Sequence, residues 1–395
     1  MKVHFNDPQF SFQLLRVLGS AASRQADVGE CLATAGRIVE GDFESWTREW
    51  SHTAARVEAG AQKSAQAGHK VSAADAYLRA TNYYRAAEFY LHGNPTDPRI
   101  QELSDRSAYC FREGLRASGI AHEFVDIPYE GTALPGVFYS AGSGRRPTLI
   151  VQTGFDGTVD GLFPWAQAVT RRGWHCLAFE GPGQGRVIRK QGLPFRPDWE
   201  HVVSPAVDYL MARPEVEAAR IALMGVSFGG YLAPRAAAFE KRLVACIANG
   251  GVLDFNGPRL PPNMTREQYA AFVRSQPDQL NVLMRRQAEK NVTARWGQEN
   301  GIYTFKASSP ADWALKLLDY DLTKVAHQIT CPMLVIDVEH ENSFPGEARK
   351  LFDALTCPKT WLFFTEEEGA GDHCQTGSPA LAQQRIFDWL EETVV

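Results

Sequence analysis

The sequence predicts an α/β fold: a mostly parallel β-sheet with helices on both faces, an all-helical domain before it and a helical insertion within it. Three observations lead to this prediction. Residues 1–120 show helical periodicity and no convincing strand, whereas short apolar runs alternate with helix-like segments from residue 121 onward. Residues 255–326 separate two strands and are largely helix-like. Alternating strands and helices indicate βαβ units, whose parallel sheets are covered on both faces.

The chain therefore divides into two predicted domains. Residues 1–120 form a helical domain, interpreted as a lid or dimerisation element, and residues 121–395 contain the sheet. The length of 395 residues fits two or three structural units of roughly 100–200 residues each. The segment 255–326 is interpreted as a helical cap inserted into the sheet domain.

The first domain is predicted to be helical because its apolar residues recur at spacings of three and four. This spacing is followed by Trp46, Trp50, Ala54 and Val57. Another helix is predicted to begin near Ser72, the candidate N-cap, and to end before Gly93-Asn94-Pro95. About five helices are expected in this domain, with boundaries good to a few residues.

The second domain begins with a predicted β-hairpin, in which residues 122–127 and 136–139 flank a turn that contains glycine. Six apolar runs follow as strands: Thr148–Gln152, His175–Phe179, Ile221–Met224, Val244–Ala248, Met333–Ile336 and Thr360–Phe364. The helices predicted among them are Phe163–Arg172, Val202–Arg213, Tyr231–Phe239, Gly346–Leu355 and Leu381–Thr393.

Composition excludes several classes of partner. The net charge is -5, from 41 basic and 46 acidic residues, and gives no positive field for binding nucleic acid. No stretch of about 18 uncharged apolar residues occurs, so we expect no membrane span. The seven cysteines are scattered without a CxxC pair, and the first residues lack the apolar core of a secretory signal. We therefore expect a cytoplasmic protein that acts on a small molecule.

The candidate nucleophile is Ser227, within Met224-Gly-Val-Ser-Phe-Gly-Gly230. This segment contains G-x-S-x-G, follows an apolar strand and precedes a helix. A nucleophilic serine stands on such a strained strand-to-helix turn, and the flanking glycines let the backbone pass without a Cβ clash. The alternative is a small serine in an ordinary βα turn.

A nucleophilic serine needs a base, and His373 is the candidate. It lies in Gly369-Ala-Gly-Asp-His-Cys374, a loop between the last predicted strand and the C-terminal helix. A histidine late in the chain, after the serine, agrees with one known order of triad residues. The alternative is a loop histidine in contact with solvent.

Three carboxylates compete for the role of the acid after the strand that ends at Ile336. They are Asp337, Glu339 and Glu341. We prefer Glu341, then Glu339, then Asp337, because Glu341 lies four residues before Pro345, a spacing typical of this acid. A metal cluster at Glu339-His340-Glu341 is not expected, since no second histidine stands at ligand spacing.

Two backbone N–H groups are expected to stabilise an oxyanion. One belongs to Phe228, directly after the serine, and the other to Phe155, in the loop after strand 148–152. Gly154 is predicted to permit the close approach of that loop. Many hydrolases have histidine before this glycine, where the present chain has Thr153.

Several further residues are candidates for substrate contact. Tyr84 and Arg85 lie on an aromatic-rich helix, where such residues more commonly pack in the core. Asp254 follows strand 244–248 and is expected either to contact substrate or to cap the next helix. The glycine-rich run Glu180–Gly185 lacks the Lys-Ser/Thr ending of a phosphate loop and is interpreted as a turn at the pocket floor.

These motifs resemble the α/β-hydrolase superfamily over nearly the whole chain. More narrowly, the chain resembles the group with an N-terminal helical domain that includes 2,6-dihydroxypseudooxynicotine hydrolase and the yellowish-green-type polyketide-shortening hydrolases. The narrower resemblance depends on residues 82–89, 179–185, 225–230, 344–346 and 367–375. It implies Ser227 as nucleophile, His373 as base, a carboxylate after Ile336, a pocket between helical domain and sheet, and a homodimer. Glutamate at 341 departs from the aspartate usual in the group.

The expected function is that of a serine hydrolase working through an acyl-enzyme, with no metal or organic cofactor. The resemblance implies a small acyl, β-keto or aryl-ketone substrate and C–C bond hydrolysis in specialised, polyketide-like metabolism. Carboxylesterase or thioesterase activity is the main alternative, and an acyltransferase or cyclase would use the same triad. A hydrolase-fold binding protein without activity is the alternative outside enzymes.

Overall fold

The computed structural model describes residues 1–261 and 263–394. The chain forms two compact units. The helical unit consists of Met1–His122 together with Thr376–Leu381, and the sheet unit consists of Glu123–Gln375 together with the segment from Ala382 onward. The predicted boundary at residue 120 lies close to the observed one, but the return of 376–381 to the first unit was not predicted.

The helical unit contains five α-helices among the described residues: α1 Pro8–Gly19, α2 Val28–Ala35, α3 Phe43–Gln66, α4 Lys70–Glu88 and α5 Pro98–Ser118. Aspartates cap four of these helices by accepting hydrogen bonds from first-turn N–H groups: Asp7, Asp27, Asp42 and Asp97. The core is aromatic, and the indole of the buried Trp46 donates to Ala86 O (2.7 Å). Ser72 is not a cap, because α4 already begins two residues earlier.

The sheet unit is organised around eight strands: β1 His122–Tyr129, β2 Thr132–Tyr139, β3 Arg146–Gln152, β4 His175–Phe179, β5 Val216–Val226, β6 Leu243–Asn249, β7 Met333–Val338 and β8 Lys359–Phe364. Their order is β1-β2-β4-β3-β5-β6-β7-β8. All neighbours in the series β4-β3-β5-β6-β7-β8 pair in parallel, whereas β2 runs antiparallel to β4. The central strands are almost wholly buried, which explains their uninterrupted apolar runs.

Helices connect these strands and cover the sheet: α6 Phe163–Thr170, α7 Glu200–Met211, α8 Gly229–Phe239, α13 Glu347–Ala354 and α14 Pro379–Thr393. From β3 to β4 the chain moves toward the edge of the sheet formed by β1, and from β4 to β5 it moves toward the edge formed by β8. Because such crossovers are right-handed, α6 lies on one face of the sheet and α7 and α8 lie on the other. The strand order reverses between β3 and β5, where ligands bind in open parallel sheets.

The predicted insertion is helical in the structure. Between β6 and β7 the chain forms α9 Arg266–Ser275, α10 Pro277–Lys290, α11 Val292–Thr304 and α12 Pro310–Leu317. None of the helices within residues 1–261 and 263–394 combines the length and the apolar character that a membrane span needs. All seven cysteines are free thiols.

Candidate active site

Ser227 stands on a tight turn between β5 and α8. Its φ angle is 62°, in the left-handed region that L-residues rarely adopt. The Ser227 N–H donates to Asn249 O at the end of β6 (2.8 Å), which holds the turn against the neighbouring strand. A Cβ atom at Gly225 would lie 1.9 Å from Gly229 O, so glycine is required before the serine. This geometry presents the half-buried hydroxyl at the carboxyl edge of the sheet.

The structure brings Ser227, His373 and Glu341 together from three separate segments. His373 Nε2 lies 2.8 Å from Ser227 Oγ, and its Nδ1 lies 2.6 Å from Glu341 Oε2. An ionised carboxylate can only accept, so Nδ1 carries the proton and Nε2 is left to accept from the serine hydroxyl. The side chains of His373 and Glu341 are only 12% and 7% exposed.

Backbone hydrogen bonds orient the Glu341 carboxylate toward the histidine. Its Oε1 accepts from the N–H groups of Ser343 (2.7 Å) and Phe344 (3.0 Å), which leaves Oε2 for His373. Burial opposes ionisation of Glu341, but the charge of His373 and these hydrogen bonds outweigh it and lower the pKa of the carboxyl group. Burial likewise opposes protonation of His373, but its interactions with Cys374 and Glu341 raise its pKa well above the usual range of an imidazole.

The two alternative acids have other partners. The Asp337 carboxylate accepts from the N–H of Val338 (2.9 Å), and burial raises its pKa. Glu339 accepts from the N–H of Glu366 (2.7 Å). The imidazole of His340 lies 2.6 Å from the Glu366 carboxylate, and no group of three potential metal ligands occurs among residues 1–261 and 263–394.

The loop after β3 passes directly against the Ser227 turn. A Cβ atom at Gly154 would lie 2.6 Å from the nitrogen of Phe228, so only glycine permits this approach. Gly154 O accepts from Gln184 Nε2 (3.2 Å), and the N–H of Phe155 points the opposite way because the peptide bond is planar and trans. Neither the Phe155 N–H nor the Phe228 N–H has an acceptor in the described part of the chain.

Two amide side chains hold this loop, and neither was predicted from the sequence as a site residue. Gln184 lies in the glycine-rich turn after β4, and its Nε2 also donates to Thr153 O (2.8 Å). Asn300, on α11 of the insertion, donates to Phe155 O (3.1 Å) and is fully buried. Asn300 of the insertion and Gln184 of the turn 180–185 therefore both hold the loop. Only the three-dimensional contacts identify Asn300, since nothing in its local sequence distinguishes it.

Aromatic side chains surround the ring of Phe155. Ring centroids within 6.5 Å of it belong to Phe195, Phe228, Phe255, Trp296, Phe305 and Trp313. Four of these residues, Phe255, Trp296, Phe305 and Trp313, belong to the insertion, so the environment beside the serine turn is apolar and aromatic. Phe155 and Trp296 are half-buried, whereas the other five rings pack in the core of the sheet unit.

Of the remaining predicted contact residues, Tyr84 and Asp254 have hydrogen-bond or ion-pair partners within their own units, and Arg85 is buried. Tyr84 is buried in the helical unit and donates to Glu58 Oε2 (2.6 Å), and its neighbour Arg85 is buried on the same helix. The Asp254 carboxylate forms an ion pair with Arg266 (2.5 Å) and accepts from the N–H of Asn256 (2.9 Å). Contact of these three residues with substrate stays a prediction.

Cys374 is a further neighbour of the histidine that sequence reasoning did not identify. Its Sγ lies 3.4 Å from His373 Nε2 and 3.5 Å from Asn249 O. Its φ angle of 54° places it in the left-handed region, directly after the histidine. The only local signal was its position next to His373.

Family profiles match most of the chain. The profile described as the alpha/beta hydrolase family matches residues 143–386, and the profile described as esterase FrsA-like matches residues 13–256. Because the first match alone covers more than half of the sequence, the chain belongs to the alpha/beta hydrolase family. The predicted fold class and the predicted enzyme class are thereby confirmed.

Relatives of similar length bear hydrolase names. The chain is 34% identical to the hydrolase LUC6 of a Fusarium species, covering 97% of this chain and 96% of the relative. It is also 34% identical to the 20-hydroxy-prefusarin hydrolase FUS2 of Gibberella moniliformis, with the same coverage. The solved structure of 2,6-dihydroxy-pseudo-oxynicotine hydrolase superimposes with a TM-score of 0.74 at 22% identity, over 96% of both chains. That likeness shows a shared fold.

Proposed function

We propose that the protein is a serine hydrolase that forms an acyl-enzyme on Ser227 and needs no metal or organic cofactor. The observation that supports this proposal most strongly is the hydrogen-bonded series from Ser227 Oγ through His373 to Glu341, with distances of 2.8 and 2.6 Å. A serine hydroxyl is a weak nucleophile until an adjacent base removes its proton. His373 is the proposed base, and Glu341 is the carboxylate proposed to orient it.

In the proposed reaction, Ser227 Oγ attacks a carbonyl carbon while its proton moves to His373 Nε2. Glu341 stabilises the imidazolium that forms. The N–H groups of Phe155 and Phe228 donate to the oxyanion. When the tetrahedral intermediate collapses, the imidazolium returns its proton to the leaving group. His373 then takes a proton from water, the hydroxide attacks the acyl-enzyme, and the acid and free serine are released.

The proposed substrate is a small acyl compound of the β-keto or aryl-ketone type, cleaved at a C–C bond. Such a cleavage needs a leaving carbon whose negative charge is delocalised, as in a β-dicarbonyl or a phenol-bearing ring. The half-buried rings of Phe155 and Trp296 support a flat, conjugated substrate, and one relative bears the name 20-hydroxy-prefusarin hydrolase. Esters and thioesters would react by the same steps. A homodimer and a cytoplasmic location stay predictions.

The test is to treat the purified protein with a fluorophosphonate and to locate the adduct by peptide mass spectrometry. We expect labelling at Ser227 in the wild type and none in Ser227→Ala or in His373→Ala. Circular dichroism of each variant shows whether the fold is retained. Labelling at another serine, or undiminished labelling in His373→Ala, would contradict the proposal.

Product analysis then tests the type of reaction. A β-diketone, an aryl ketone, a p-nitrophenyl ester and a thioester are offered in parallel, and products are identified by mass spectrometry. A hydrolase releases a free acid that carries one oxygen atom from labelled water. A lactone, a ring or a transferred acyl group without that label would assign the triad to a cyclase or an acyltransferase.

A further inference from the structure

Arg259 lies on the short turn Gly257–Arg259 that follows β6, at the sheet edge where the serine stands. The guanidinium carbon lies 4.6 Å from the ring centroid of Phe255 and 5.5 Å from that of Phe344. These distances are typical of cation–π contacts, so both rings hold the cation in place.

The same two rings border the proposed catalytic residues. The Phe255 centroid lies 4.5 Å from that of Phe228, the residue after the serine. The Phe344 centroid lies 6.3 Å from the imidazole of His373. Arg259 is therefore one aromatic ring away from His373, through Phe344, and through Phe255 it is linked to the ring of Phe228, the residue after the serine.

The charge of Arg259 has no carboxylate partner in the described part of the chain. One nitrogen, Nη1, donates to Phe255 O (2.5 Å). The two nearby carboxylates are already engaged: Asp254 pairs with Arg266 (2.5 Å), and Glu347 pairs with Lys350 (2.8 Å). A guanidinium has five N–H donors, so several remain for a ligand.

The side chain is both exposed to solvent and closely surrounded by protein. Arg259 is exposed to solvent, yet burial among neighbouring atoms lowers the pKa of its guanidinium to about 10. Its pKa remains far enough above 7 for the guanidinium to be charged at neutral pH.

We propose that Arg259 binds a carboxylate of the substrate and so selects acidic substrates for the hydrolase. The planar fork of N–H donors matches a carboxylate, and the rings below it leave one face of the pair apolar. This inference rests on the proposed function, because it places the bound anion beside Ser227. The recognised substrate is then a flat, conjugated compound whose acidic group is separate from the bond that is cleaved.

Binding is tested without catalysis, so that the outcome does not depend on an active serine. In the Ser227→Ala protein, calorimetry compares 2-naphthoate with 2-naphthamide, a neutral compound of nearly the same shape. We expect 2-naphthoate to bind at least about tenfold more tightly than 2-naphthamide, as a charge-assisted hydrogen bond allows. Adding Arg259→Gln is expected to abolish this preference, and Arg259→Lys to restore part of it.

Arg274, an exposed arginine on α9, provides the matched control. Arg274→Gln removes the same charge from the insertion and is expected to leave the preference for naphthoate unchanged. Equal binding of naphthoate and naphthamide to the Ser227→Ala protein, with Arg259 and Arg274 both intact, would overturn the proposal. So would a preference that survives Arg259→Gln in a protein whose circular dichroism is unaltered.

A kinetic comparison separates this proposal from the proposed function. The p-nitrophenyl monoester of adipic acid carries a distal carboxylate, and p-nitrophenyl hexanoate does not. Arg259→Gln is expected to lower kcat/KM about tenfold or more for the acidic ester and about twofold or less for the neutral one. An equal loss for both esters would contradict the role of Arg259. No turnover and no phosphonate labelling in the wild type would contradict the proposed function and leave the calorimetric result standing.

Discussion

The charge of Glu341 controls how readily His373 gives up a proton. The carboxylate lies 2.6 Å from Nδ1 and contributes to the raised pKa of the imidazole. The base must be neutral to accept the proton of Ser227, so activity falls as the pH drops through the pKa of His373. Since that pKa is raised, we expect the acidic limb of the kcat/KM profile to lie above pH 6.5.

Glu341→Gln is expected to lower kcat/KM by about 10³–10⁴-fold, because the amide removes the charge and no longer fixes the imidazole tautomer. Loss of that charge also lowers the pKa of His373, so the acidic limb of the residual activity moves to lower pH. The measurement is a pH series of kcat/KM with a p-nitrophenyl ester, in the wild type and the variant.

Glu339→Gln is the matched control, since this exposed glutamate contacts the N–H of Glu366 and not the histidine. We expect its profile to overlay that of the wild type. A large loss in Glu339→Gln or in Asp337→Asn, together with an unchanged profile in Glu341→Gln, would assign the acid to one of those positions.

Local pattern selected the candidates whose proposed role requires a particular sequence neighbourhood. Ser227 is found because its turn demands nearby glycines, and His373 because it lies in a loop before the last helix. Glu341 could only be ranked among three carboxylates, since hydrogen bonds from Ser343 and Phe344, and not spacing alone, orient it toward the imidazole. Such contacts depend on the folded backbone.

At the scale of elements, the insertion supports the loop beside the serine. Asn300 reaches from α11 to Phe155 O (3.1 Å), so a helix about 145 residues further along the chain positions the proposed oxyanion donor. Asn300→Ala is expected to lower kcat by about tenfold to a hundredfold through misplacement of that donor. It is also expected to cost about 1 kcal/mol in the free energy of unfolding.

The comparison variant is Asn281→Ala. The Asn281 side chain accepts from the N–H of Ala311 (2.9 Å), within the insertion and away from the loop. A similar loss of stability with unchanged kcat is expected, as measured by urea unfolding and steady-state kinetics. If both variants lower kcat equally, the effect of Asn300 reflects a general loosening of the insertion.

Strands were predicted more accurately than the helices of the insertion. Buried parallel strands such as β3 and β4 are continuous apolar runs, so their predicted and observed bounds agree closely. The segment 255–326 was recognised from a gap in the alternation of strands and helices. Its division into four helices is set by caps such as Thr265 and Ser309, which close on specific N–H groups only after folding.

At the scale of the whole molecule, a short C-terminal segment belongs to the N-terminal unit. Thr376–Leu381 follows the histidine loop directly, yet it forms part of the helical unit. The change in periodicity near residue 120 predicted the main boundary. The periodicity could not predict that Thr376–Leu381 belongs to the helical unit. The contact between Gly377 and Leu15 joins residues more than 350 positions apart in sequence and leaves no local pattern.

Gly377 is the residue through which this segment packs on α1. Its φ angle is +94°, and a Cβ atom there would lie 2.9 Å from Leu15 Cδ1. Gly377→Ala is therefore expected to lower the free energy of unfolding by about 2–3 kcal/mol, from the strained φ angle and the clash together. Urea unfolding measures this cost, and hydrogen exchange with mass spectrometry is expected to show faster exchange in α1.

Gly144→Ala separates the cost of the strained φ angle from the cost of the clash with Leu15. Gly144 has a similar φ angle of +85°, but a Cβ atom there would meet nothing within 4 Å. The backbone strain alone is expected to cost about 1–2 kcal/mol and to leave hydrogen exchange in α1 unchanged. If the two variants lose the same stability and neither alters exchange in α1, then the segment 376–381 does not stabilise the helical unit. A larger loss in Gly377→Ala, with faster exchange confined to α1 and its neighbours, would show that the segment 376–381 stabilises the helical unit through its packing on α1.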